Sequence, residues 1–276
     1  VSEQIYLDDT FALAWFDRSP FDAVCDIQGE VFRDVGARRT LRFTLENRSY
    51  FLKLHSGVGW KEILKNWLTL RRPVVDASNE YHACTHLRTR GVHTPRPAAF
   101  GVRGRDPARR TSFVICEALE DHVSLAVLSE NWHQAPPSAR LKRRLIEHVA
   151  VLARDMHDAG VVHRDFYLYH LLADCAALAR EDIRLTLIDL HRARVGKRVS
   201  RYWRVRDLGA LMFWCLDRPM TQRDYLRFVR IYEDRPLRAA LARRPRMWRA
   251  VQRRARALYR KGLRQGIVAE RFDPNA

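Results

Sequence analysis

The sequence predicts an α+β chain of two lobes, the first rich in strands and the second mainly helical. Three observations lead there. Apolar and polar residues alternate through much of 24–55. Helical periodicity dominates the C-terminal half. Between these regimes, TSFVICEAL (111–119) is a nearly continuous apolar run that fits a central strand. The boundary is placed at 119/120, giving lobes of 1–119 and 120–276 with a cleft expected between them.

Each element has its own signal. DIQGEVFRDVGARR reads as a strand pair with a short turn. TLRFTL puts Leu41, Phe43 and Leu45 on one face, ENRS turns the chain, and YFLKLH alternates back as a hairpin. GWKEILKNWLTLRRP, with Ile63, Leu64, Trp67, Leu68 and Leu70, reads as a short amphipathic helix ended by Pro73. Ser78 is expected to cap a helix from Asn79 to about Arg90, with Gly91 as its stop and Tyr81, Cys84 and Leu87 as its apolar stripe. Pro136, Pro137 and Ser138 precede the clearest helix, 139–158, where Leu141, Leu145, Val149, Leu152 and Met156 recur every three or four residues. RLTLIDL (184–190) reads as a strand, with 173–183 as a loop before it. From 246 to 264, Met247, Val251, Leu258 and Tyr259 oppose Arg249, Arg253, Arg256, Arg260 and Arg264. That helix suits a membrane surface, a nucleic acid or plain solvation.

Composition narrows the partners. The 276 residues are 47% hydrophobic, which excludes a disordered polyelectrolyte. Net charge is +18, so an anionic partner is expected: nucleic acid, an acidic membrane or a phosphorylated small molecule. Lysine occurs only at 53, 61, 65, 142, 197 and 261, so arginine supplies most of the charge. Arginine suits bidentate phosphate contacts, although a coding bias explains part of its excess. The cysteines (25, 84, 116, 175, 215) form no CxxC, and buried free thiols in a reducing compartment are expected. No apolar stretch reaches the roughly 18 residues of a spanning helix. YLDDTFALAWF lacks the basic flank of a secretory signal, so a cytoplasmic protein is expected.

The sharpest motif is VVHRDFYLYHLL (161–172). HRD opens the catalytic loop of protein-kinase-like enzymes, where Asp165 would orient an acceptor hydroxyl and take its proton. Arg164 would hold the loop or touch substrate, and His163 reads as a packed structural residue. Asp189, ending LTLID, stands where a magnesium ligand is expected, with DLH in place of DFG. Lys53 would hold the α- and β-phosphates of a nucleotide, and Glu80 could pair with it. Glu117 and Leu119 belong to the segment 117–120, where an adenine-binding hinge is expected. Asp207 is expected to hold the catalytic loop from a buried helix start. Plainer readings exist: Lys53 as an edge-strand solubility residue, Glu80 as a first-turn acid, Asp165 as a turn residue, Asp189 and Asp207 as caps, Glu117 as a solvated acid. Correct order along the chain outweighs any one of them.

These blocks resemble the lipopolysaccharide core heptose(I) kinase family of Gram-negative bacteria. QGEVFRDVGARRTLRF (28–43), YFLKLHSGVGWKEILKNWLTLRRPVVDASNEYHA (50–83), GVHTPRP (91–97), VVHRDFYLYHLL, LIDLHRA (187–193) and RDLGALMF (206–213) carry the resemblance. It implies a protein-kinase-like fold that uses ATP and Mg2+ to phosphorylate a hydroxyl of the first inner-core heptose. The acceptor is a lipid-linked lipopolysaccharide core, met at the cytoplasmic face of the inner membrane by a peripheral enzyme without a spanning helix. A monomer is the working expectation, and nucleic acid is not expected as a partner, since no RRM, KH or zinc-finger signature is present. Asp165 resembles the catalytic aspartate, Lys53 the nucleotide lysine, Glu80 its helix partner and Asp189 the metal aspartate.

Some features depart from the general kinase pattern. There is no GxGxxG: Gly29 and Gly36 are the only glycines in the first hairpin region, so Gly29 is the nucleotide-side glycine, and the phosphate cradle is expected either to be looser or to use Arg33, Arg38 or Arg39. His170 stands where protein kinases use asparagine for a second metal, and a histidine ligates magnesium poorly. Lys61 and Lys65 are candidate substrate-side contacts, and Trp60 and Trp67 either stack on a sugar or pack. Competing readings are a kinase of another inner-core sugar such as Kdo, an aminoglycoside-type phosphotransferase, a non-enzymatic nucleic-acid-binding protein or pseudokinase, and a metal hydrolase built on His163, Asp165, His170, Asp189 and His191. The basic charge disfavours a cationic acceptor, and the retained Lys53, Asp165 and Asp189 disfavour a pseudokinase.

Overall fold

A computed structural model describes residues 3–68 and 75–266, without the side chains of Glu62, Asn66 and Trp67. The expectations placed on Trp67, Leu70 and Pro73 lie outside what is described. The chain forms two compact units. Unit 1 comprises 1–86, 94–120 and 189–193, and unit 2 comprises 87–93, 121–188 and 194–276. The division is therefore interleaved rather than a single cut.

Unit 1 contains β1 (Glu3–Leu7), α1 (Asp9–Ala14), α2 (Pro20–Asp26), β2 (Glu30–Val35), β3 (Arg38–Leu45), β4 (Arg48–Ser56), α3 (Gly59–Leu68), most of α4 (Ser78–Arg88), β5 (Pro97–Arg103) and β6 (Thr111–Glu117). Its six strands form one sheet in the order β1-β5-β6-β4-β3-β2, antiparallel throughout. The apolar run at 111–117 is central as expected, flanked by β5 and β4. Its period-2 alternation feeds two cores. Phe113 and Ile115 join Leu41, Phe43, Leu52 and Leu54 against Phe11, Trp15 and Phe21 of the α1–α2 segment. Val114 and Cys116 face the other way, with Phe100 and Tyr81 of α4. The hairpin between β3 and β4 turns on Glu46 and Asn47, both left-handed.

Some local expectations change here. Residues 24–26 end a helix rather than begin a strand, because Pro20 pre-sets φ at the first turn of α2. Ser78 lies inside α4, and the Asp76 carboxylate accepts from its amide at 3.0 Å. Trp60 is 48% exposed, so it does not pack into a core. Cys84 and Cys116 are buried and Cys215 is partly buried, but Cys25 and Cys175 are exposed, since α2 and the short helix at 175 turn those positions outward; all five thiols are free.

Unit 2 contains β7 (His122–Ser124), α5 (Leu125–Leu128), α6 (Ala139–Asp158), β8 (Val161–Val162), β9 (Leu171–Asp174), α7 (Cys175–Ala179), β10 (Leu185–Leu187), β11 (Arg194–Val195), α8 (Arg201–Leu216), α9 (Gln222–Tyr232), α10 (Leu237–Arg243) and α11 (Pro245–Arg264). The apolar stripe of α6 is buried as expected, and Ser138 caps it by accepting from the Leu141 amide at 3.1 Å. Gly160 follows with φ +81° and its Cα against the Gly196 carbonyl, where a Cβ would lie 1.8 Å from that oxygen. Only glycine fits, and the chain reverses there into β8. In α11, Met247, Val251, Ala255 and Tyr259 recur at four-residue intervals and are buried; Ala255 and Tyr259 pack with Leu216 of α8. Arg249, Arg253, Arg256, Arg260 and Arg264 are exposed as the pattern implied. The strand at 184–190 shortens to 185–187, and 173–183 holds the end of β9 and α7 instead of a plain loop; Asp174 caps α7 through the Ala177 amide.

Candidate active site

In unit 1 the strand period that buries Leu52 and Leu54 turns Lys53 to the opposite face. Its Nζ donates to Glu80 Oε1 at 2.6 Å and to Asp189 Oδ1 at 3.1 Å. Burial alone would depress the Lys53 pKa; the Glu80 and Asp189 carboxylates more than offset it and hold the ammonium well above the usual lysine range. Glu80, in the first turn of α4, is 6% exposed. Asp189 has φ +61°, a left-handed conformation that carries its carboxylate toward Lys53. His191 Nδ1 lies 2.8 Å from the same Asp189 oxygen. The third residue of DLH thus helps hold the aspartate, a role the sequence did not reveal.

The other expected donor-side residues lie in the same unit. Glu117 ends β6, with its amide bonded to the Arg96 carbonyl at 2.9 Å and its carboxylate 3.6 Å from Arg96. Ala118 donates to Ser49 at 2.9 Å and Leu119 follows, half-buried. Gly29 immediately precedes β2, and a Cβ there would lie 2.0 Å from the Arg42 carbonyl. The glycine therefore serves close strand approach within the sheet. Lys61 and Lys65 are exposed on α3. His55, on the Lys53 face of β4, is pushed down to about 4 by burial and by Arg38 and is neutral at pH 7.

In unit 2 the HRD segment is braced through all three backbone amides and both ring nitrogens of His163. Asp207 is completely buried and accepts from the amides of His163 and Arg164, each at 2.9 Å. It lies well inside α8 rather than at a helix start, because α8 begins six residues earlier at Arg201. Its expected hold on the loop is present. Arg164 has φ +76°, a costly conformation for a side chain with a Cβ, and the Asp207 bond helps keep it there. His163 is fully buried: Nε2 contacts the Ile188 carbonyl at 3.0 Å, and Nδ1 accepts from the Asp165 amide at 3.3 Å. These partners select the neutral Nε2–H tautomer. The Asp165 carbonyl accepts from the Tyr167 amide at 2.9 Å and from His170 Nδ1 at 2.7 Å. The His170 ring stacks on His163 at 5.5 Å. A stiff loop thus presents the Asp165 carboxylate, 8% exposed as a residue.

Two further residues were not singled out from sequence. His157 Nε2 lies 3.4 Å from Asp207, and its Nδ1 lies 2.8 Å from the Tyr232 hydroxyl, which also accepts from Arg204 at 2.6 Å. Both are buried. The available signal was weak: a histidine on the buried side of a helix that ends shortly before HRD.

Among the described residues, no group of three or more His, Cys, Asp or Glu side chains is arranged to hold a metal ion. The hard oxygens of Asp189 still suit magnesium, which commonly takes one or two carboxylates and completes its shell with water and phosphate oxygens. His170 has one ring nitrogen engaged with Asp165.

A mixed sheet-and-helix fold with a strand lysine held by a helix glutamate, and an HRD loop anchored on a buried aspartate, defines a phosphotransferase of the protein-kinase-like class. The lipopolysaccharide kinase (Kdo/WaaP) family model matches residues 22–232, and the chain belongs to that family. It is 44% identical over 264 residues to the lipopolysaccharide core heptose(I) kinase WaaP of Pseudomonas aeruginosa, covering 95% of this chain and 98% of that protein. It is 41% identical to the WaaP of Escherichia coli, covering 95% and 100%. A solved structure of WaaP in complex with acyl carrier protein superposes with a TM-score of 0.81 at 40% identity, covering 93% of this chain and 99% of that one.

Proposed function

We propose that the protein is an ATP-dependent kinase that phosphorylates a hydroxyl of the first heptose of the lipopolysaccharide inner core. The observation that carries this reading is 44% identity to a heptose(I) kinase across nearly the whole length of both chains. In this reading Asp165 orients the acceptor hydroxyl and accepts its proton as the oxygen attacks the γ-phosphorus. Lys53 places its ammonium on the α- and β-phosphates, with Glu80 setting its direction. Asp189 would be the principal metal ligand and His170 a weaker one. When bound, magnesium would neutralise charge on the phosphate oxygens. Glu117 and Leu119 border the adenine, and Lys61, Lys65 and Arg164 meet the anionic acceptor. Gly29 acts on the nucleotide only indirectly, through the sheet.

No helix among the described residues is long and apolar enough to cross a membrane. A peripheral position at the cytoplasmic face of the inner membrane follows from the acceptor, and basic residues near an anionic surface each add up to about 1 kcal/mol of attraction. Acyl carrier protein is proposed as a second partner, by analogy with the relative's complex. An apolar cavity of about 460 Å³ within unit 2, lined by Leu145, Leu211, Met212, Phe228 and Val251 among others, could take an acyl chain.

The test is transfer of labelled γ-phosphate from ATP to purified core acceptors that differ by one sugar. Phosphate should appear on the first heptose, and Asp165→Ala should reduce the rate by at least about 10²-fold with folding intact. Transfer only to Kdo-terminated acceptors would favour the related sugar kinase, and no transfer to any heptose-bearing acceptor would sink the reading.

A further inference from the structure

Away from the HRD loop, unit 2 carries a pocket of about 480 Å³ where α10 ends and where α8 and α11 begin. Five arginines line it: Arg201, Arg204, Arg243, Arg244 and Arg246. Two carboxylates answer them. Glu233, fully buried, lies 3.1 Å from Arg244 and 3.6 Å from Arg243, and Asp158 accepts from Arg204 at 3.0 Å. Arg201 donates to the Arg246 carbonyl at 3.0 Å, and neither Arg201 nor Arg246 has an acidic partner among the described residues. The pocket therefore holds excess positive charge.

The helix ends sharpen the point. Neither α8 nor α11 has a side-chain N-cap bond, and neither carries an acid in its first turn. The positive end of a helix normally attracts acids and repels cations, and its first amides need acceptors. Here two such ends meet arginines instead. The start of α11 is relieved internally, since Pro245 has no N–H and the Met247 amide donates to the Arg244 carbonyl at 3.0 Å, whereas α8 has no such device; an external anion would satisfy the guanidinium groups and the α8 end together. A phosphate group suits the site better than a carboxylate, because its higher charge and its several oxygens can engage more than one guanidinium. The volume lies in the ordinary range of small-molecule sites, roughly 300–1,000 Å³.

We propose that this pocket binds a phosphate-bearing ligand, held chiefly by Arg201, Arg246 and the amide end of α8. None of its lining residues belongs to the HRD loop or to the Lys53 site. The ligand's source is either a soluble phosphate compound or a phosphomonoester headgroup at a lipid surface.

Two probes distinguish these sources on the full-length chain at fixed salt. One is calorimetric titration with inorganic pyrophosphate. The other is sedimentation with phosphatidylcholine vesicles that contain or lack phosphatidic acid. The pocket variant is Arg201→Gln with Arg246→Gln, which unpairs no buried acid. The control is Arg90→Gln with Arg105→Gln, the same charge change at exposed positions outside the pocket and outside α11. The pocket variant should lose at least about tenfold in affinity, and the control should bind like the parent protein. Loss on pyrophosphate assigns a soluble phosphate; loss only on phosphatidic acid vesicles assigns a headgroup. Equal binding by both variants on both probes, or no binding by the parent protein to either, overturns the proposal.

Discussion

Lys53 is placed where burial would strip its charge, and two carboxylates keep it. Removing only the lysine leaves Glu80, 6% exposed, as an uncompensated buried charge. Lys53→Met should therefore destabilise the chain by about 3 kcal/mol and cut transfer by about 10²-fold or more. Adding Glu80→Met should restore the melting temperature while transfer stays lost. Recovery of transfer in that double variant would show that Lys53 matters only for folding. These two residues were legible because one sits in an alternating strand and the other in a helix's first turn. His157 and Tyr232 were not: they are 75 positions apart, and neither lies in a motif. The close approach of Gly29 to the Arg42 carbonyl was not legible, because sequence cannot tell a glycine needed by a neighbouring strand from one needed by a ligand.

At the scale of elements, α8 serves as an anchor. Asp207 projects from its interior and accepts from both the His163 and Arg164 amides, so one carboxylate sets two consecutive residues. An amide has one acceptor oxygen, so Asp207→Asn would turn an NH₂ toward one of those donors. The expected result is about 2 kcal/mol of lost stability and a kcat lower by about 10²-fold, with the KM for ATP nearly unchanged. A raised KM with normal kcat would contradict the loop-anchoring role. Element types were largely legible. The β3–β4 hairpin, α6, α11 and the central strand β6 follow from their periodicity, and the caps follow from Ser138 and Gly160. Boundaries shifted where the pattern was short: Pro20 pulled residues 24–26 into a helix, and β10 kept only Leu185–Leu187. The position of Asp207 inside α8 could not be read from a stretch whose helical start carries no cap bond.

For the molecule as a whole, stability depends on histidines kept neutral by burial, with His55 in unit 1 and His157 in unit 2. The folded chain lowers both pKa values, so between about pH 4 and the usual histidine value near 6.5 the unfolded chain binds more protons. This stabilisation is present above about pH 6.5 and is lost as pH falls. From pH 6.5 to 4.5, His55 alone should cost about 2 kcal/mol. Urea midpoints measured across that range should fall, and His55→Phe should flatten the slope; an unchanged slope would refute the assignment. The net charge of +18 is distributed rather than uniform: α11 spreads exposed arginines along one face, while five others gather in one pocket. Taken alone, the sequence determined the class of fold and the family resemblance and singled out Lys53, Glu80, Asp165 and Asp189 as candidates, because periodicity and motif order are local or ordered along the chain. Only the tertiary structure decided which polar groups meet: Lys53 with Asp189 across 136 positions, Asp207 with the HRD amides, and the arginines at two helix ends. The physical reason is that local patterns set which face of an element is apolar, whereas polar partners are chosen by how those faces pack.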